Sequence, residues 1–115
     1  MTIVEFYDKA AIENICGALL CRPERVILVG SNRRRMERSI DLYYKVLKRA
    51  GISTELSYIC TPRNSLQDIV EKLSQVVDYY KDECVFDLTG GDDLYLVAVG
   101  IIMERYSESV SELNP

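Results

Sequence analysis

The chain reads as an α/β three-layer sandwich, a parallel sheet of order 3-2-1-4 with helices on both faces. Three observations in its 115 residues predict this. Strand-like apolar runs alternate four times with helix-period segments, and β-α units in succession imply parallel strands joined by right-handed crossovers. Arg25–Gly30 carries Val-Ile-Leu-Val at its centre, the continuous apolar run of a strand covered on both faces. Ile52–Ile59 instead alternates Ile52, Thr54, Leu56 and Tyr58 with Ser53, Glu55, Ser57 and Ile59, as a half-exposed edge strand does. An edge third strand and a covered second strand fit the doubly wound order, which leaves room for further strands beyond the fourth.

Thr2–Tyr7 is the first strand. Lys9–Leu20 follows as a helix, with Asp8 as N-cap and Ile12, Ile15, Cys16 and Leu19 on one face. Arg22-Pro23 ends it, because proline disfavours helical backbone in the residue before it. The second helix, Arg34–Ala50, keeps Met36, Ile40, Tyr43 and Leu47 in register and stops at Gly51. Ser65–Lys81 is the third, on Leu66, Ile69, Val70, Leu73, Val77 and Tyr80. Cys84–Leu88 forms the fourth strand, and the fourth helix runs from about Asp92 to Tyr106. Residues 1–106 therefore make one domain. Residues 107–115 are expected to be a tail, with a break before further sequence after Pro115.

Composition narrows the function. Apolar residues make up 48% and charged ones 28%, ordinary globular values. A net charge of −4 argues against broad, sequence-independent binding to duplex nucleic acid. No stretch is long and apolar enough to span a bilayer, and Met1-Thr-Ile-Val-Glu lacks signal-peptide features, so the expected compartment is the cytoplasm. The chain has no histidine, which excludes His-based acid–base chemistry and His-containing triads within it. Cys16, Cys21, Cys60 and Cys84 form no Cys-x-x-Cys pair. Of these, Cys16, Cys60 and Cys84 lie among apolar neighbours and are expected to be buried thiols. No cofactor, metal ligand or catalytic residue is assigned.

The most informative stretch is the end of the fourth strand. Thr89-Gly90-Gly91 opens directly into a helix, where N–H groups are left unpaired and unshielded by side chains, a ready place for an anion. Two glycines also simply permit a tight strand-to-helix turn, with Thr or Asp as its cap. Asp92 and Asp93 put negative charge where a phosphate would go. Each gains about 0.3–1 kcal/mol from the helix dipole, and each costs a phosphate ~6 Å away about 0.7 kcal/mol in water or ~3 at an effective dielectric near 20. The order 3-2-1-4 brings this turn opposite Tyr7, Asp8 and Lys9, with Ser31, Asn32, Arg33, Arg34 and Arg35 alongside at the same carboxyl edge. Arg38 lies one turn further on. Arginine forks suit phosphate. Asn14 is one turn above the first loop and within reach of a ligand there.

Three further features stand out. Glu5 and Asp87 are acids inside neighbouring central strands; sharing a face, at least one needs a raised pKa or a basic or metal partner. Tyr43, Tyr44, Tyr79, Tyr80, Tyr95 and Tyr106 fall mostly at core or near-core spacing on helices. The fourth helix, Leu94 to Met103, is apolar nearly all round, and a fourth strand at the sheet edge would be bare. Both point to a second copy of the chain or to missing sequence as the cover.

The run Phe86-Asp-Leu-Thr-Gly-Gly-Asp-Asp-Leu with its apolar helix resembles the Asn-Leu-Thr-Gly-Gly-Thr-Lys signature of CRISPR-associated Rossmann fold (CARF) domains. Glu13-Asn14-Ile15 and Arg22-Pro-Glu-Arg-Val-Ile-Leu-Val-Gly30 are also similar to this family, in particular to members that carry a C-terminal restriction-endonuclease-like nuclease domain. The resemblance implies a Rossmann-like fold and a homodimeric sensor that binds cyclic oligoadenylate at its shared carboxyl-edge crevice. Binding would regulate a nuclease domain that this chain lacks, in antiviral defence. Thr89, Gly90 and Gly91 match the family's turn, whereas Asp92 and Asp93 stand where it has Thr and Lys. Two other readings stay open: a metal-dependent phosphoryl-transfer or phosphodiester-cleaving site on Asp87, Asp92 and Asp93, and a pure dimerisation module.

Overall fold

The computed structural model describes residues 1–7, 11–61, 65–80, 84–106 and 110–113. In chain order the elements are β1 (Thr2–Phe6), α1 (Ala11–Cys21), β2 (Arg25–Gly30), α2 (Arg33–Arg49), β3 (Glu55–Cys60), α3 (Leu66–Tyr79), β4 (Cys84–Asp87), α4 (Asp93–Arg105) and β5 (Val110–Leu113). The expected order 3-2-1-4 holds, with every pairing parallel. The sheet does not stop at β4, however. Residues expected to form a tail supply β5, which pairs with β4 from Cys84↔Val110 to Asp87↔Leu113. Such a short run carries too little periodicity to be recognised alone; its ladder to β4 makes it a strand.

Side chains alternate across the sheet and build two cores. Val4, Phe6, Ile27, Val29 and Phe86 pack under α3 and α4 with Ile69, Leu73, Ala98 and Ile102. Ile3, Val26, Leu28 and Val85 pack on the other face with Ala18, Met36, Tyr43 and Leu47 of α1 and α2. β1 and β4 are buried along their whole length, and β2 at every residue but its half-buried first, Arg25. β3 alternates exposed and half-buried positions, as an edge must.

Caps set the helix ends. Asn32 and Ser65 accept N–H bonds from Arg35 (3.1 Å) and Asp68 (3.2 Å) at the starts of α2 and α3. Gly51 follows α2 at φ 73°, the left-handed conformation that stops a helix without a Cβ penalty. β3 starts three residues later than its alternation predicts. Ile52 and Thr54 instead bond back to the Leu47 carbonyl (2.9 Å) and, through the Thr54 hydroxyl, to Pro23 (2.9 Å).

Several burial expectations change. Cys60 is exposed, because β3 is an edge and Cys60 falls on its open side, while Cys84 is buried as expected. Tyr43 and Tyr95 are core residues, but Tyr44 and Tyr79 are 57% and 79% exposed. Each follows or precedes a buried or half-buried tyrosine, and adjacent helical residues cannot share a face. Among the described residues no helix is long and apolar enough to cross a membrane.

Candidate functional site

The carboxyl ends of β1, β2 and β4 converge at one edge, and the connections diverge there in opposite directions, the switch point at which doubly wound sheets bind ligands. That edge is tightly built. The Tyr7 N–H donates to the Val29 carbonyl (2.8 Å), and Thr61 N–H donates to the Gly30 carbonyl (2.8 Å). A Cβ on Gly30 would overlap the Tyr7 carbonyl oxygen and press on Met36 Sδ at 3.2 Å. Only glycine lets the ends of β1 and β2 approach this closely. Phe6 stacks on Tyr95 (ring centroids 4.9 Å apart), and the buried Tyr95 and Thr61 hydroxyls are 2.9 Å apart. These contacts tie α4 to the end of β3 across the sheet. Neither Gly30, Thr61 nor Tyr95 is among the site residues expected from the sequence.

The turn after β4 is held by the protein's own carboxylates. Asp87 Oδ1 accepts the Thr89 N–H at 3.0 Å, and the Gly91 N–H reaches the Leu88 carbonyl at 3.4 Å. Asp92 is the N-cap of α4, and its Oδ1 accepts the Tyr95 N–H at 3.2 Å. Its carboxylate is thus turned back onto the helix end, while Asp93 is exposed in the first turn. Helix geometry leaves the Asp93 and Leu94 N–H groups without intrahelical acceptors. Gly91 lies over Phe6, and a Cβ there would sit in ordinary contact at 3.5 Å. Its role is not a steric necessity.

On the other side of the edge, Asn32 spends its side-chain oxygen on the α2 cap. Arg33, Arg34, Arg35 and Arg38 are exposed, with no acid in the first turn of α2. Arg35 and Arg38 join Tyr7, Ser39 and Leu42 around an open groove of about 240 Å³. Tyr7, at 7% exposure, forms its wall more than its mouth. Ser31 is half-buried, and its carbonyl accepts the Cys60 thiol at 3.6 Å.

The sequence-predicted site residues therefore fall as follows. Tyr7, Ser31, Asn32, Arg33, Arg34, Thr89, Gly90, Gly91, Asp92 and Asp93 all lie at the carboxyl edge. Asp8, Lys9 and the Asn14 side chain lie outside the described residues.

Beneath this edge, Glu5 and Asp87 are partners in the β1–β4 register and point to the α1–α2 face. Glu5 is fully buried, and among the described residues neither of its oxygens meets a donor in good hydrogen-bond geometry. Burial lifts its pKa from 4.5 to about 9; the Asp87 carboxyl adds to the shift and the Tyr43 hydroxyl offsets part of it. Tyr43 is in turn pushed above its ordinary value by burial and by Glu5. Glu5 is therefore a neutral acid at pH 7. Among the described residues no group of three His, Cys, Asp or Glu is placed to hold a metal ion.

This architecture is a Rossmann-like fold with a glycine turn and a cluster of arginines at its switch point. Among solved structures it is similar to Can2 from Sulfobacillus thermosulfidooxidans in complex with cyclic tetra-adenylate. The TM-score is 0.75 at 15% identity, covering 98% of this chain and 32% of that one. It is also similar to protein VC1899 from Vibrio cholerae, with a TM-score of 0.68 at 17% identity, covering 99% of this chain and 30% of that one. At such identities the likeness is one of fold, and the chain spans about a third of the length of either neighbour. No protein-family profile and no curated protein sequence matches the chain.

Proposed function

We propose that this chain is a non-catalytic sensor domain that binds a cyclic oligoadenylate or a related nucleotide at its carboxyl edge. In this reading it acts as a homodimer in a longer, CRISPR-linked nuclease effector. One observation carries the proposal most directly. The Thr89–Gly91 turn opens α4 at the switch point, opposite Tyr7, with the arginine-rich start of α2 on the same edge. The fold it shares with a protein solved with cyclic tetra-adenylate supports the ligand class. The exposed Leu96 and Val97 on α4 support a partner on that helix. Ten of the site residues predicted from sequence lie along the carboxyl edge that this reading takes as the crevice.

The aspartates shape the chemistry. Asp92 and Asp87 occupy turn N–H groups that would otherwise meet a phosphate. The arginines must then carry the phosphate contacts, and the turn contributes the remaining helix-end donors. Calorimetry with cyclic tetra- and hexa-adenylate tests this. Binding that weakens on Arg33→Ala with Arg34→Ala, and loses salt dependence, is expected. No heat at high protein concentration would sink the reading.

A further inference from the structure

We infer that the outer face of α2 is a docking surface for a single-stranded nucleic-acid backbone. The inference starts from a charge asymmetry. Helix α2 holds seven of the chain's fourteen Lys and Arg but two of its eighteen Asp and Glu, so it carries +5 and the remainder −9. Met36, Ser39, Tyr43 and Leu47 are buried against the sheet, and the opposite ridge exposes Arg34, Arg38, Asp41, Lys45, Lys48 and Arg49. One of the two acids, Glu37, is turned toward β3, where it accepts the Tyr58 hydroxyl at 2.8 Å. None of the ion pairs among the described residues involves the ridge.

The geometry suits a strand. Arg34 to Arg49 spans about 22 Å at 1.5 Å per residue, long enough to run beside several consecutive phosphates of a single strand. Apolar and aromatic groups flank the ridge on its shoulders: Leu42 is 45% exposed, and Tyr44 is 57% exposed with Lys48 5.7 Å from its ring centroid. The exposed Tyr44 ring beside the basic track offers a face on which a base can stack. The acidic remainder of the chain does not cancel the ridge, because charges more than about 8–10 Å away are largely screened at physiological salt. A second copy of α2 would be repelled. The surface shares Arg34 with the proposed cyclic-ligand site and runs on from it to Arg49, so its test uses residues at the far end.

Fluorescence anisotropy of the full chain with a fluorescein-labelled 12-nucleotide single-stranded RNA, from 50 to 300 mM KCl, tests this. Binding is expected, with log K falling against log salt at a slope of about −2 to −3 if three or four phosphates are neutralised. Lys45→Glu with Arg49→Glu, far from the turn, should weaken binding at least tenfold and flatten the slope. Lys45→Gln with Arg49→Gln should do so partially, and Lys72→Glu on α3 should change little. Circular dichroism of each variant reports that α2 is intact. No binding at 50 mM KCl, or a slope unmoved by the α2 variants, would overturn the inference. So would equal binding of a poly-glutamate peptide, which would give the face to an acidic protein.

Discussion

At the residue scale, Glu5 couples the core to pH. Its folded pKa of about 9 lies above the ordinary 4.5, so the sign is determined. Below the ordinary value both states are protonated and the full stability is present. As pH rises toward 9 the unfolded chain releases a proton that the folded one keeps, and stability falls by up to about 1.4 kcal/mol per pH unit. Urea unfolding at pH 5, 7 and 8.5 should show that decline. Glu5→Gln, neutral and of the same shape, should flatten it and stabilise the protein at pH 8.5; an unchanged slope would mean Glu5 is not the titrating group. Gly30 is the second decisive residue. Gly30→Ala drives a methyl against the Tyr7 carbonyl and is expected to cost about 1–3 kcal/mol, as overpacking does, measured as a lower midpoint in the same experiment.

At the element scale, α4 opens on a residue with two roles in conflict. Asp92 caps the helix through Tyr95 N–H, yet its charge opposes any anion at the turn. Asp92→Asn keeps a good cap and removes the charge, so melting should change little while affinity for cyclic tetra-adenylate rises several-fold. Asp92→Ala should lose about 1 kcal/mol of stability through the missing cap. A tighter-binding Ala variant with no tighter-binding Asn variant would show that the side chain blocks the turn by its size and not its charge. The sequence placed both aspartates at this helix start and offered Thr or Asp as its cap; only the structure decides that Asp92 bonds inward while Asp93 stays exposed.

At the scale of the whole molecule, the apolar outer side of α4 is the open question of assembly. Leu96 and Val97 are 40% and 52% exposed, and their replacement together by Glu should convert a homodimer to a monomer in light scattering while circular dichroism shows the helices intact. A wild-type chain that is already monomeric at high concentration would remove the dimer from the proposed function. The edge expected at β4 is instead covered by β5, so β4 itself is not left bare.

Most of the fold was legible because its signals are local. The apolar run of Arg25–Gly30, the alternation before Cys60 and the glycine turn after β4 each declare an environment within a few residues. They were enough for class, strand order and the position of the candidate site. What only the tertiary structure decided depends on groups far apart in the chain meeting at short range. Glu5 is a neutral acid because burial strips its water and Asp87 faces it, and Gly30 is indispensable because Tyr7 crosses it. Cys60 is exposed because β3 is an outer strand of the sheet among the described residues, and 110–113 is a strand because β4 offers it a ladder. Hydrophobic period records which face a residue turns inward; it does not record which polar group waits there.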